Sequence, residues 1–175
     1  MLAERFPRYE LVNLGKNGDT VLGIRNRTLK HLAEVQPYDL IVIAAGHNDV
    51  ILPEFERQST IHKAIARSLA KGGSVPASDY GGFLSTYQGF IDSLRPISDA
   101  AIVVTTMSCI NEDPSTATGE RRQLYNQAVA VPAKEAGVFL ADVGREFDLV
   151  LRERDPRDYF MASLPALLLG DMWNS

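Results

Sequence analysis

Two short loops in the sequence combine residue types that could do chemistry. The loop "GKNGDT" at residues 15–20 and the loop "GHND" at residues 46–49 each follow a short apolar stretch. A glycine such as Gly18 lets a backbone N–H face a ligand just before a helix, where negative charge is stabilised. The neutral amide of Asn48 carries two N–H donors that could stabilise an oxyanion, and Asp49 could brace its loop by accepting backbone N–H groups.

Each loop also has a structural interpretation that involves no ligand. Gly15 and Gly18 could serve a tight turn that needs positive φ, and a G-x-x-G fragment lacks the third glycine of the dinucleotide-binding fingerprint. Asn48 and Asp49 could form an Asx turn with their own backbone. Taken one at a time, the two loops leave both interpretations open.

The elements that must position these loops are predicted from apolar patterning. Four short apolar segments are typical of parallel strands covered on both faces: Tyr9–Asn13, Leu40–Ala45, Ala100–Thr106 and Val138–Asp142. Helical spacing predicts five helices: from Asp19 or Thr20 to about Val35, Thr60–Lys71, Tyr80–Leu94, Thr118–Ala136 and Gly144–Arg154. Pro132 is expected to kink or break the fourth of them.

Strands that alternate with helices predict an α/β protein with a doubly wound parallel sheet. Right-handed crossovers place helices on both faces of such a sheet. Ligands of these folds bind outside the carboxyl ends of the strands, where both polar loops would lie. The segment from Ile51 to Gly82 is longer than a simple crossover requires and is predicted to shape a pocket.

Composition excludes several other classes of function. The 175-residue chain has a net charge of −4 and no basic stripe, so nucleic acid is not an expected partner. Cys109 is the single cysteine, which rules out an internal disulfide and a cysteine-based metal cluster. No apolar run reaches the roughly 20 residues that cross a membrane. The spacing of residues predicts neither a metal site nor a cofactor, and it leaves a homo-oligomer open.

Together the two loops carry more information than either alone. Their order and spacing resemble those of the SGNH (GDSL) hydrolase family. The residues that match the family's motifs are Asn13, Gly15, Gly18, Thr20, Gly46, Asn48 and Asp49. The stretch "RRQLYNQA" also resembles the helix before the family's last strand. The resemblance implies a three-layer α/β/α fold with a flavodoxin-like parallel sheet. It also implies a serine esterase or lipase-like acyl hydrolase that acts on a small-molecule carboxylic ester, with an oxyanion hole from Gly18 and Asn48.

The sequence also departs from the family pattern. The family's nucleophile is a serine in a G-D-S motif at the end of its first strand, and no G-D-S occurs here. Its base is a histidine in D-x-x-H, where the comparable stretch has Asp171 followed three residues later by Asn174. The resemblance therefore implies a single domain over residues 1–175 that lacks its first strand and is incomplete at both termini. Whether the chain is an enzyme stays open, and hydrolysis of simple aryl esters is expected to be no better than a weak background.

No residue inside the chain is an evident replacement for the missing nucleophile and base. Ser108 follows a predicted strand, but the sequence pairs it with no base. Cys109 is more typical of a small buried hydrophobe than of a nucleophile. His31 and His62 are predicted to be solvated surface residues, and His47 to line the pocket wall.

Two other functions and one physical consequence remain open. The chain could be a catalytically inactive SGNH-fold protein that binds an ester or sugar, or a flavodoxin-like module that binds phosphate at "GKNG". Without the first strand, the segments 9–13 and 40–45 would each have an unpaired edge. We therefore expect the chain to dimerise or aggregate through the gap, or to close it by pairing these two segments directly.

Overall fold

Three parallel strands form the sheet at the centre of the protein. The computed structural model describes residues 2–35, 37–57 and 59–153. The strands lie in the order β1 (Leu40–Ala44), β2 (Ala101–Thr105) and β3 (Phe139–Ala141). In the parallel register, Ala44 is opposite Thr105, and Thr105 is opposite Ala141. All three carboxyl ends therefore lie at one edge of the sheet, as the α/β prediction requires.

Seven helices surround the strands in the described part of the chain. They are α1 (Leu2–Arg5), α2 (Val21–Glu34), α3 (His47–Phe55), α4 (Thr60–Lys71), α5 (Tyr80–Leu94), α6 (Ala117–Ala136) and α7 (Val143–Leu151). The predicted bounds of α4 and α5 are confirmed, and α2 begins after Thr20 as expected. The helix α3 was not predicted, because its first residues are the polar loop "GHND". Among the described helices, none is long and apolar enough to span a membrane.

Of the kink or break predicted at Pro132, the break is wrong, and the kink stays a prediction. The helix α6 continues through this residue and ends at Gly137, whose φ of 62° lies in the left-handed region. A proline inside a helix removes one backbone hydrogen bond and crowds the preceding turn. Here Pro132 is buried, and α6 packs along α5. Tertiary packing therefore outweighs the local preference of proline.

The hydrophobic core lies against one face of the sheet. Ile43 of β1 and Val104 of β2 are buried in a cluster with α5 side chains such as Phe83 and Ile91. Alternate positions on β1 are open to solvent, with Leu40 52% and Val42 58% exposed. Side chains alternate between the two faces of a strand. The sequence predicted that both faces would be buried, and in the described part of the chain this is confirmed for one face only.

The strand predicted at Tyr9–Asn13 is wrong. These residues form no strand, and Tyr9 is 69% exposed. A strand is defined by a hydrogen-bonded neighbour, and the described residues provide none for this segment or for the outer edge of β1. A groove of about 250 Å³ lies between Val12–Gly15 and β1. The two segments therefore do not pair directly, and self-association across the groove stays a prediction.

Candidate active site

A glycine turn connects β1 to the candidate site. Gly46 caps the N-terminus of α3 with φ 119° and ψ −19°, a backbone conformation that side chains rarely adopt. A Cβ at this position would lie 2.9 Å from Met107 Sδ and 3.0 Å from Phe83 Cζ. Glycine therefore allows the chain to turn at once from the strand into the helix. The turn places His47 and Asn48 at the carboxyl edge of the sheet.

The side chain of Asn48 contacts the other polar loop. Its Nδ2 donates a hydrogen bond of 2.8 Å to the backbone carbonyl of Asp19. Asp19 directly follows Gly18, which has a φ of 76°. The contact joins residues 29 apart in sequence, so the Nδ2 group binds outside its own loop. The structure thus brings Asn48 to the loop of Gly18, while convergence of the two groups on one oxygen stays a prediction.

Asp19 and Arg27 hold the first loop in place. The Arg27 guanidinium forms an ion pair with Asp19 Oδ2, and its Nε donates a hydrogen bond of 2.6 Å to the Leu14 carbonyl. Asp19 Oδ1 accepts from the Thr20 N–H at 2.9 Å. These bonds hold the backbone on both sides of Gly18. The loop is therefore a fixed part of the site.

The predicted bracing role of Asp49 is confirmed. Its carboxylate is fully buried and accepts hydrogen bonds from the backbone N–H groups of Val21, at 2.8 Å, and Ala77, at 2.9 Å. Burial raises the pKa of Asp49 from 3.8 to about 6, and the charge of Asp19 contributes to the rise, although the backbone hydrogen bonds oppose it. Asp49 therefore connects three segments of the chain while it titrates close to neutrality.

This titration predicts a pH-dependent stability. The pKa of Asp49 is higher in the folded protein than in the unfolded chain, so ionisation costs folding free energy. The stability due to this group should be complete below about pH 4 and should fall by about 3 kcal/mol as pH rises past 6. Denaturant unfolding of the wild type and of Asp49→Asn from pH 3 to 8 would measure it. The free energy of unfolding of the wild type minus that of Asp49→Asn should decrease as pH rises.

A serine and a histidine meet beside Asn48. Nε2 of His47 lies 3.1 Å from Oγ of Ser108, although the two residues are 61 apart in sequence. This contact was not predicted from the sequence, and a base role for His47 is not tested by it. Burial lowers the pKa of His47, and the nearby Arg122 charge lowers it further. Both effects favour the neutral imidazole over the imidazolium.

The other histidines and the cysteine considered in the sequence take no part in this contact. His62 is buried and bonds Ser59 Oγ through Nδ1 at 2.8 Å, so its prediction as a surface residue is wrong. His31 is half-buried and hydrogen-bonds Tyr38. Cys109 is half-buried, and burial raises the pKa of its thiol, which makes it a poor nucleophile. Asp171 and Asn174 lie outside the described residues. In the described part of the chain, no group of three His, Cys, Asp or Glu side chains could hold a metal ion.

Three supporting residues were missed by sequence reasoning. Asn126 binds both sides of the Met107 backbone, accepting from its N–H at 2.8 Å and donating to its carbonyl at 3.1 Å. Arg122 is buried and pairs with Asp148 at 2.6 Å. Asn126 and Arg122 lie within the stretch "RRQLYNQA". The spacing of four residues between this arginine and this asparagine places both side chains on the same face of a helix. That spacing is the feature of the sequence that could have identified them.

The chain is similar to a known protein family and to several solved structures. The GDSL-like lipase/acylhydrolase family model matches residues 1–164. Similar solved structures include LAE5, an α/β hydrolase enzyme from the metagenome of Lake Arreo, Spain. It has a TM-score of 0.67 and 23% identity over 87% of this chain and 64% of that chain.

Two acetyl xylan esterases are also similar. For Axe2 from Geobacillus stearothermophilus, the TM-score is 0.64 at 19% identity, with 86% of this chain and 63% of that chain covered. For AlAXEase, the TM-score is 0.65 at 20% identity, with 85% and 69% covered. These likenesses show the SGNH hydrolase fold, and the chain spans about 64% of the length of LAE5. No curated protein matches the sequence. Because the family model covers nearly the whole chain, the protein belongs to the GDSL-like lipase/acylhydrolase family.

Proposed function

We propose that the protein is a carboxylic ester hydrolase of the SGNH type, in which the Gly18 N–H and the Asn48 side chain bind the oxyanion. The observation that carries this proposal is the 2.8 Å hydrogen bond from Asn48 to the Asp19 carbonyl. It places a neutral amide donor against the glycine loop at the carboxyl edge of a parallel sheet. Membership of an acylhydrolase family supports the reaction class.

The chemistry requires donors where negative charge develops. Attack on an ester carbonyl converts its oxygen into a tetrahedral oxyanion, and fixed N–H groups stabilise this state more than the neutral ester. Asn48 has two N–H donors, of which one binds Asp19. In the proposal the other one points to the oxyanion together with the Gly18 N–H. The N-terminus of α3, where Asn48 lies, adds a favourable partial positive charge.

The proposed substrate is a small molecule with a short acyl group. Two of the similar structures are acetyl xylan esterases, so acetylated sugars are the first natural class to test. An activated aryl ester such as p-nitrophenyl acetate contains the same acetyl carbonyl and gives a direct optical signal. Neither nucleic acid nor a cofactor has a part in the proposal.

Removal of the Asn48 amide tests the function. The full chain should hydrolyse p-nitrophenyl acetate above buffer background, and Asn48→Ala should lower kcat by about 100- to 1000-fold, as loss of one oxyanion donor does elsewhere. The matched control is Asn26→Ala, which removes an exposed asparagine from α2. Thermal melts of both variants would separate loss of the donor from loss of the Asp19 contact.

Two results would contradict the proposal. Equal rates for the wild type and a folded Asn48→Ala would remove the oxyanion role of Asn48. Binding of an acetylated xylo-oligosaccharide by the wild type, without hydrolysis of any ester, would favour a ligand-binding protein with this fold.

A further inference from the structure

His47 and Ser108 lie side by side at the carboxyl edge of the sheet. Each follows the last residue of its strand by three positions, and these last residues, Ala44 of β1 and Thr105 of β2, are opposite each other. Nε2 of His47 is 3.1 Å from Oγ of Ser108, and both side chains are half-buried. The pair is therefore part of the surface on which folds with a parallel sheet bind their ligands.

The pair and the glycine loop lie on different sides of Asn48. His47 and Asn48 are the first two residues of α3, and successive side chains on a helix point in directions about 100° apart. Asn48 bonds the Asp19 carbonyl at 2.8 Å, whereas His47 contacts the loop that follows β2. An ester held at Asn48 therefore has the glycine loop on one side and the His47–Ser108 pair on the other.

The surrounding backbone holds the pair in place. Asn126 binds the N–H and the carbonyl of Met107, the residue before Ser108, at 2.8 and 3.1 Å. The Gly46 turn fixes the start of α3, where His47 lies. A binding site gains affinity when its polar groups are ordered before the ligand arrives. Two different elements supply that order here.

The pair offers hydrogen bonds but no charge. Burial and the nearby Arg122 guanidinium lower the pKa of His47, which favours its neutral form. Arg122 is itself paired with Asp148 at 2.6 Å. A hydroxyl has one donor and two acceptor positions, so Ser108 can bond both His47 and a second polar group. Such a pair matches a neutral ligand group that donates and accepts hydrogen bonds, as an alcohol does.

We propose that His47 and Ser108 bind the alcohol part of the ester and select an alcohol that carries further hydroxyl groups, as a sugar does. This inference rests on the proposed ester hydrolysis and names the chemical class of its leaving group. A hydroxyl of the ligand bonds the pair while the acyl carbonyl is bound at Asn48 and Gly18. An ester such as p-nitrophenyl acetate has no hydroxyl for this subsite, which lowers its relative affinity.

Two esters with the same acyl group test this selection. An acetylated xylo-oligosaccharide and p-nitrophenyl acetate both contain the acetyl group and differ in their alcohol part. Ser108→Ala removes the hydroxyl, and His47→Phe keeps a ring but removes its hydrogen bonds. Each variant should lower the ratio of kcat/KM for the sugar ester to kcat/KM for the aryl ester by about 10-fold, as expected for loss of a hydrogen bond. The change should appear mainly in the KM of the sugar ester.

Xylotriose tests the same subsite without turnover. It has the hydroxyl groups of the sugar ester but no acyl group to hydrolyse. Titration calorimetry should show that the wild-type chain binds it and that Ser108→Ala and His47→Phe each bind it about 10-fold more weakly.

The chain offers a matched control in a second serine–histidine contact. Ser59 Oγ is 2.8 Å from His62 Nδ1 at the start of α4. Ser59→Ala should keep the wild-type ratio and the wild-type affinity for xylotriose. Melting curves would verify that all three variants are folded before they are compared.

The outcomes separate this inference from the proposed function. A lower ratio in both variants of the pair supports the subsite. A ratio that either variant keeps at the wild-type value, or a wild type that hydrolyses the aryl ester alone, overturns the subsite and leaves the proposed function standing. If the wild type hydrolyses neither ester, the proposed function fails and xylotriose decides. Weaker binding by both variants then supports the subsite, whereas equal or absent binding overturns it.

Discussion

Replacing Gly46 with alanine is expected to destabilise the protein by about 4 kcal/mol. The left-handed backbone of Gly46 costs a residue with a side chain about 1–3 kcal/mol. The new Cβ would also be only 2.9 Å from Met107 Sδ and 3.0 Å from Phe83 Cζ, both in the core. Such overpacking costs about 1–3 kcal/mol more. Thermal unfolding should show a Tm lower by about 10 °C.

The control for this substitution is Gly89→Ala. Gly89 lies inside α5, and a Cβ added there meets nothing within 4 Å. Since alanine is favoured over glycine within a helix, this variant should be more stable by about 0.5–1 kcal/mol. A Gly46→Ala protein that melts like the wild type would mean that the turn after β1 tolerates a side chain, and the positioning of His47 and Asn48 would need another explanation.

Replacing Asp148 with alanine is expected to destabilise the protein by about 3–5 kcal/mol. The Arg122 side chain is 1% exposed, and Asp148 is the carboxylate that pairs with it at 2.6 Å. Removal of one partner from a buried ion pair leaves an uncompensated charge in a medium of low polarity. Denaturant unfolding at pH 7 would give the free energy difference.

The two partners of this ion pair should not be equivalent. Arg122→Met removes the buried charge and fills similar space, while Asp148 is 34% exposed and can be solvated. This variant should therefore lose less stability than Asp148→Ala, and adding Asp148→Ala to it should cost little more. As a surface control, Glu54→Ala breaks an ion pair to the exposed Arg57 and should cost less than about 1 kcal/mol. Equal losses for the two single variants would argue against the burial of an Arg122 charge.

The sequence predicted best what depends on neighbours along the chain. The bounds of α4 and α5 follow from local apolar spacing, and both were confirmed. The helix α3 was missed because its polar start reads as a loop. The strand at Tyr9–Asn13 was wrong because a strand needs a partner, which local sequence cannot supply.

The site was predicted unevenly for the same reason. The bracing by Asp49 follows from the type of residue found after a strand, and it is confirmed, whereas the oxyanion role of Gly18 and Asn48 stays a prediction. The pairing of His47 with Ser108 spans 61 residues and depends on the register of β1 and β2. The Arg122–Asp148 pair joins two helices that no pattern in the sequence connects. Contacts of this kind become visible only once the chain has folded.

The two backbone hydrogen bonds to Asp49 also have a consequence for motion. An N–H in the first turn of a helix, such as that of Val21, normally has no helical partner and exchanges rapidly with water. Here one buried carboxylate holds the amides of both Val21 and Ala77. Any opening that releases this carboxylate frees both amides at once. Their exchange with solvent deuterium is therefore coupled across 56 residues of chain and reports on the same fluctuation that would loosen Asn48 beside it.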